Sequence, residues 1–205
     1  MGFVISVLIP SRDRPGQLAR SVTSLRDQAV SPPEILVAAD DDDDMTVKTA
    51  RELGVAVIVT MPRAGYGQIH RYHQELAARS RGDWIMVWDD DAVMLTSRWD
   101  EFIEAMPPDV LVADVQSPYS PLCCYPAVRR RAVIALGRFC TDNPHIDTFW
   151  QDVGVSAGVI RRAEVHVDCT LTTKPGQHHG FYEPAHQAEM AACAEILRGV
   201  GQERC

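Results

Sequence analysis

A chain of 205 residues, 46% of them hydrophobic, has enough apolar material for one sizeable core, and no apolar run reaches the roughly 18–20 residues of a membrane span. With 20 basic and 28 acidic side chains the net charge is −8, which excludes a surface that is basic all over and built for nucleic acid. The six cysteines include no C-x-x-C pair, which argues against a zinc knuckle, and the lack of a basic, long apolar leader points to a cytoplasmic protein with free thiols.

Residues 3–9 form an apolar, β-branched run ending at Pro10, the pattern of a buried strand. Pro15 and Gly16 open a helix with apolar positions at Leu18, Val22 and Leu25. Pro32 and Pro33 mark a loop before a second strand at 34–39. Aspartates fill 40–44, residues 45–53 read as helix, and Gly54 stops it. A third strand spans 56–60. The loop 63–67 leads into a helix over 68–79, which Gly82 ends. A fourth strand, 84–88, carries Asp89, Asp90 and Asp91 at its carboxyl end. Thr96 or Ser97 caps a helix that ends before Pro107 and Pro108, and 110–115 is a fifth strand.

Strands alternating with helices predict an α/β fold with a mostly parallel sheet covered on both faces. Ligands of such sheets lie beyond the carboxyl ends of the strands. The polar clusters at 11–14, 40–44 and 89–91 all follow strands, so three separate segments are expected at one edge. After residue 115 the pattern changes to a loop at 116–127, a helix at 128–136 and a short helix at 147–153. A strand at 165–171, a loop at 174–184 and a final helix at 186–197 complete the chain.

Three adjacent carboxylates repel one another, and setting them after an apolar strand with two tryptophans is costly without a cation. Mg2+ or Mn2+ shared with a diphosphate answers that need, because both sides offer hard oxygen ligands. Spacing of two puts Asp89 and Asp91 on one side if strand geometry persists. The plain alternative is a solvated acidic turn. His70 and His73 read as surface or rim histidines. Arg129, Arg130 and Arg131 read as a solvated helix face or as a contact to an anionic acceptor.

The chain resembles a glycosyltransferase of the GT-A fold, of the family 2 kind. The likeness rests on Pro10-Ser11-Arg12-Asp13-Arg14-Pro15, on the acidic turn after the second strand, and on the stretch from Gly65-Tyr66-Gly67 through Gly82-Asp83-Trp84 to Asp89-Asp90-Asp91. The last is the most specific, since that family runs helix, Gly-acid-aromatic step, strand and DxD motif in this order. The resemblance covers the first 115 residues well and the remainder loosely. It implies a single GT-A, Rossmann-like domain, with residues 1–115 as the nucleotide-sugar half and 116–205 as the acceptor and catalytic lobe.

The resemblance also implies roles. The reaction would be metal-dependent, inverting transfer of a sugar from a nucleotide diphosphate-sugar, with UDP-sugar first, to an acceptor hydroxyl. Pro10, Ser11 and Arg12 would line the nucleotide pocket, with Arg14 reaching a phosphate; a solvated loop is the alternative for both arginines. Asp40 or Asp41 would meet the base or ribose; five acids in a row depart from the family's acid-acid-glycine-serine turn and leave the choice open. Gly65 and Gly67 would let the backbone approach the nucleotide. Gln68 and Arg71 would face the donor, on a helix that lacks the family's frequent Asn near Gln74. Asp89 and Asp90 would contact the nucleotide-sugar. Mn2+ or Mg2+ would lie on Asp89 and Asp91, completed by His178 or His179, with His166 a more structural rival. The catalytic base would be Asp147, or Asp152 as second choice; a helix N-cap is the other role open to Asp147. Trp150 would stack on a sugar or base, and Arg129 and Arg130 would touch the acceptor: a small molecule, a glycan, or DNA as in bacteriophage enzymes that glycosylate hydroxymethylated pyrimidines. A nucleotidyltransferase is a further alternative, although residues 10–16 supply no glycine-rich basic phosphate loop; a non-catalytic binding protein is the last.

Overall fold

A computed structural model describes residues 5–60, 62–63, 65–117, 123–169 and 184–202. The first apolar runs form β1 (Ile5–Pro10), β2 (Glu34–Asp40), β3 (Ala56–Thr60) and β4 (Trp84–Val87). All four are parallel and lie in the order β3-β2-β1-β4. Parallel neighbours need crossovers, and α1 (Pro15–Asp27), α2 (Asp44–Glu52) and α3 (Ile69–Arg79) supply them. Pro15 begins α1, where its missing N–H is no loss. Asp43 caps α2, its carboxylate accepting the Thr46 N–H at 3.1 Å.

The chain continues through β5 (Val93–Met94), α4 (Trp99–Glu104), β6 (Val112–Gln116), β7 (Ala127–Arg129), α5 (Arg130–Leu136), α6 (Ile146–Ala157), β8 (Ile160–Asp168) and α7 (Pro184–Gln202). Its strands extend the same sheet in the order β4-β7-β6-β8-β5. β8 runs parallel to β6, whereas β7 lies antiparallel between β4 and β6, and β5 antiparallel to β8.

Three expectations change here. The N-cap of α4 is Arg98, not Thr96 or Ser97. Residues 127–129 are strand rather than the start of a helix, because Ala127 and Val128 bury into the sheet before the helix begins at Arg130. β8 starts at Ile160, ahead of the expected 165, and its later half alternates buried Ala163, Val165 and Val167 with exposed neighbours. That period of two marks a strand with one face covered.

Alternation along the strands feeds two cores. Val7, Ile9, Ile35, Val37, Trp84 and Met86 face α1 and α2. Leu8, Leu36, Ala38, Ile85 and Val87 face the layer of α3, α5, α6 and α7, with Phe139, Phe149 and Trp150. Helix α6 lies very close to the sheet: a Cβ on Gly154 would stand 2.9 Å from the Ile160 Cβ and 3.5 Å from the Val112 Cγ2.

Candidate active site

The carboxyl ends of β1, β2 and β4 meet at one edge. The Ser11 N–H donates to the Ala38 carbonyl at 2.9 Å and the Trp88 N–H to the Leu8 carbonyl at 3.1 Å. These bonds draw the Ser11–Arg14 segment, the 40–44 turn and the 89–91 turn together.

Each acid of the 89–91 turn has a different environment. Asp90 is buried, accepts from the Ser11 hydroxyl at 2.8 Å and from Arg14 Nη1 at 3.1 Å, and so braces the turn. Burial pushes its carboxyl up; Ser11 and Arg14 oppose that. Asp91 pairs with the same Arg14 nitrogen at 3.3 Å. Asp89 reaches solvent, and its carboxylate has no hydrogen bond or ion pair among the described residues. Its carboxyl is nonetheless crowded by protein, and that desolvation pushes it up to about 7, reinforced by the negative charges of Asp91, Asp147 and Asp90. Ser21 of α1 steadies the turn, accepting from Trp88 Nε1 at 2.8 Å and donating to the Asp89 carbonyl at 3.3 Å. Sequence reading missed Ser21. Its signal is a serine at helical spacing among Leu18, Val22 and Leu25.

Asp147 is half-buried in the first turn of α6, where burial raises its carboxyl above the usual range. It is not the N-cap, which is His145. Its charge reaches Asp89, and both acids act on exposed Tyr66, whose hydroxyl is pushed up by partial burial, then by Asp89 and Asp147. Tyr66 thus joins the cluster, although sequence reading used it only as a spacer between Gly65 and Gly67. Opposite, Tyr125 packs on Trp88 with ring centroids 4.8 Å apart, and the Cys123 N–H donates to Gln151 of α6 at 2.7 Å. Asp152 lies five residues after Asp147, about 140° around the helix, and so does not share its face.

The acidic run divides just as clearly. Asp40 is buried and accepts from Tyr72 and, at 2.9 Å, from Arg12. Asp42 also pairs with Arg12, and Asp43 accepts the Asp13 N–H at 2.8 Å while capping α2. Asp41 and Asp44 are exposed. Arg12 is therefore a clamp between the β1 and β2 loops. Pro10 sits in register with Ala38. Gly65 takes φ +74°, a conformation that suits glycine, and its N–H donates to Tyr72 at 3.3 Å. Gly67 and Gln68 are exposed on the short 3-10 turn (Tyr66–Gln68), and Arg71 lines a cleft of about 470 Å³ with His70, Gln74 and Thr141. Gln74 itself is a bracket, accepting the Phe139 and Cys140 N–H groups at 2.8 and 3.3 Å.

Several expected residues lie elsewhere. Arg129 starts no acceptor surface: it donates to the Val110 and Met106 carbonyls, each at 2.8 Å, and stacks over Trp84. Arg130 donates to the Gly82 carbonyl at 2.6 Å and to Ser80 at 2.9 Å, and Arg131 to the Pro108 carbonyl. Trp84 opposes Arg129 at the start of β4, about 16 Å from Asp89 at the strand's usual rise. Trp150 is fully buried against Phe139 and Phe149, so its ring is unavailable to a sugar. His70 and His73 are buried rather than on a rim. Burial pushes His73 down to about 4. His166 is exposed on β8, and His178 and His179 lie outside the described residues.

Among the described residues, no three His, Cys, Asp or Glu side chains gather closely enough to hold a metal ion by themselves. No helix among them is long and apolar enough to cross a membrane.

An acid turn after β4, opposed by a helix-borne carboxylate across an α/β sheet, defines a glycosyltransferase of the GT-A fold. The chain belongs to glycosyl transferase family 2, whose profile matches residues 6–166. Solved structures share the fold. Glucosyl-3-phosphoglycerate synthase from Mycobacterium tuberculosis, in complex with Mg2+ and UDP, is 12% identical with a TM-score of 0.66, covering 100% of this chain and 80% of its own. Mannosyltransferase PcManGT from Pyrobaculum calidifontis, in complex with GDP-Man and Mn2+, is 15% identical with a TM-score of 0.65, covering 98% of this chain and 73% of its own. TarS of S. aureus is 12% identical with a TM-score of 0.60 over 80% of this chain, and this chain spans only 36% of TarS. No curated protein is significantly similar in sequence.

Proposed function

We propose that this chain transfers a sugar from a nucleoside diphosphate-sugar, a UDP-sugar first, to an acceptor hydroxyl with inversion, aided by Mn2+ or Mg2+. One observation carries the reading: Asp89 is a solvent-reachable carboxylate with no ion pair or hydrogen bond among the described residues, beside the charges of Asp91 and Asp147. Carboxylates held together this way fit a divalent ion that prefers hard oxygens. Asp89 and Asp91 would hold it. Because no third protein ligand gathers there among the described residues, the diphosphate oxygens would complete the shell. Bound there, the ion would offset negative charge on the departing diphosphate.

The remaining roles belong to the chain. Pro10, Ser11, the Arg12–Asp40 clamp and exposed Asp41 would border the nucleoside, with Gly65, Gly67, Gln68 and Arg71 on its other side. Asp147 would take the proton from the acceptor hydroxyl as that oxygen attacks the anomeric carbon from the face opposite the leaving group. Burial raises its basicity, which suits a general base working near neutral pH. Tyr66, felt by both Asp89 and Asp147, would close the site over the sugar. The UDP and GDP-Man complexes of the structural relatives support a nucleotide-linked donor, and two of the three relatives described above carry a divalent ion. A DNA acceptor loses its main support, because Arg129, Arg130 and Arg131 are spent on backbone carbonyls at the far end of the sheet.

Calorimetric titration tests the reading. UDP or GDP should bind at least tenfold more tightly with Mn2+ than with a chelator, and a panel of nucleotide-sugars should show slow Mn2+-dependent hydrolysis of one. Equal binding with and without metal, for both nucleotides, would overturn it.

A further inference from the structure

Arg14 stands where a metal-dependent acid turn has most use for a removable charge. Its Nη1 lies 3.1 Å from Asp90 Oδ1 and 3.3 Å from Asp91 Oδ2. The Arg14 side chain is 48% exposed, against 7% for Asp90 and 17% for Asp91, so solvent and ligand reach the guanidinium before they reach its acids. Asp90 keeps the Ser11 hydroxyl as an independent partner, whereas Arg14 is the only cation paired with the Asp91 carboxylate among the described residues. The turn does not depend on Arg14 for its shape either, since Ser21 donates to the Asp89 carbonyl and Arg20 to the Asp91 carbonyl.

The backbone at Arg14 favours a moving side chain on a fixed base. Arg14 is the N-cap of the 13-residue α1, and Pro15 follows it directly. A cation at a helix N-terminus meets the positive end of the helix dipole, so α1 does nothing to hold the guanidinium where it is. An arriving diphosphate would find both that N-terminus and a guanidinium suited to phosphate oxygens.

We propose that Arg14 is an internal counter-cation that holds Asp91 until a nucleoside diphosphate draws it away, so that this chain binds its divalent ion in answer to the nucleotide rather than before it. The inference rests on the donor and metal reading above. In the nucleotide-free protein a divalent ion must displace Arg14 or sit beside a like charge, with only Asp89 and Asp91 among the described residues to hold it. With nucleotide bound, the guanidinium moves to phosphate and the same carboxylates are released. Reciprocity then requires the ion to strengthen nucleotide binding by the factor by which nucleotide strengthens the ion's.

The test is an electron paramagnetic resonance titration of Mn2+ against the full chain, alone and with saturating UDP or GDP. Wild type should bind Mn2+ weakly alone and much more tightly with nucleotide. Arg14→Gln should bind Mn2+ about tenfold more tightly in the absence of nucleotide and show a correspondingly smaller gain on adding it, within the usual range of coupling between sites. Arg14→Lys keeps the charge and should stay near wild type, and Arg26→Gln, which removes a cation bound to the Leu53 carbonyl in the last turn of α1, should leave Mn2+ binding unchanged. If wild type gains affinity with nucleotide but Arg14→Gln binds Mn2+ no more tightly alone, the role of Arg14 is refuted and the donor site stands. If neither nucleotide changes Mn2+ binding to wild type, both ideas fall.

Discussion

The guanidinium carbon of Arg129 lies 4.3 Å from the ring centroid of Trp84, at the end of the sheet remote from the acid turn. Its nitrogens meanwhile hold the carbonyls of Val110 and Met106. Arg129→Ala removes charge-assisted bonds and leaves those carbonyls to find water, so it should cost about 2–3 kcal/mol of stability in urea unfolding. Affinity for the nucleotide should not change. A variant that is fully stable yet loses transfer to acceptor would restore the acceptor role that the geometry removes.

Asp147→Asn keeps shape and removes the proposed base. The turnover number should fall by roughly 10²–10⁴-fold, the usual range for a positioned general base, while Mn2+-dependent nucleotide binding stays within about twofold. Steady-state kinetics beside the calorimetry separates the two effects. Asp152→Asn, on another face of the helix, should leave turnover nearly intact.

Gly154→Ala joins packing to chemistry. The new Cβ would meet the Ile160 Cβ at 2.9 Å, closer than such atoms approach, so α6 must shift off the sheet. Overpacking of this kind costs about 1–3 kcal/mol, and Asp147 rides on the same helix. The expected signature is a lowered melting temperature with a fall in turnover larger than the fall in nucleotide affinity. Unchanged turnover in a destabilised protein would show that the first turn of α6 is positioned by something other than this contact.

His73 makes the fold acid-sensitive. Its folded value of about 4 lies below the ordinary 6.5, so the unfolded chain binds the extra proton between those limits. Stability therefore falls as pH drops from 6.5 to 4, by roughly 3 kcal/mol at most at 1.4 kcal/mol per pH unit. His73→Leu removes this protonation, along with a buried Nε2 that lacks a partner among the described residues. Urea midpoints of the two proteins should lie close at pH 7.5 and diverge in favour of leucine toward pH 4. Parallel pH profiles would contradict this.

The parallel half of the sheet was legible because long apolar strands ended at Pro10, at the aspartates from 40 and at Asp89, and each terminator marked a site loop. β7 was not: a three-residue strand offers too little period to separate it from the helix that follows, and the arginines after it looked like a free face. Trp150 was legible and misjudged, since Ile146, Phe149, Trp150 and Val153 form one helical apolar stripe, the mark of a core face. His73 repeats that error, falling on the buried side of α3 with Leu76 and Ala77. Asp147 emerged from family order rather than pattern, because nothing local in the sequence says that a residue 58 positions after Asp89 comes close enough for the two charges to interact.

β7 also has a metric consequence. As the lone strand between β4 and β6, it sets them two lattice steps apart, about 10 Å. β4 carries the acids, and β6 underlies the helix bearing Asp147, so on the proposed reading that width would be the span of a trough with one bank for the donor and one for the acceptor. Excising β7 would narrow the trough by half and bring the banks too near for a pyranose ring to lie between them.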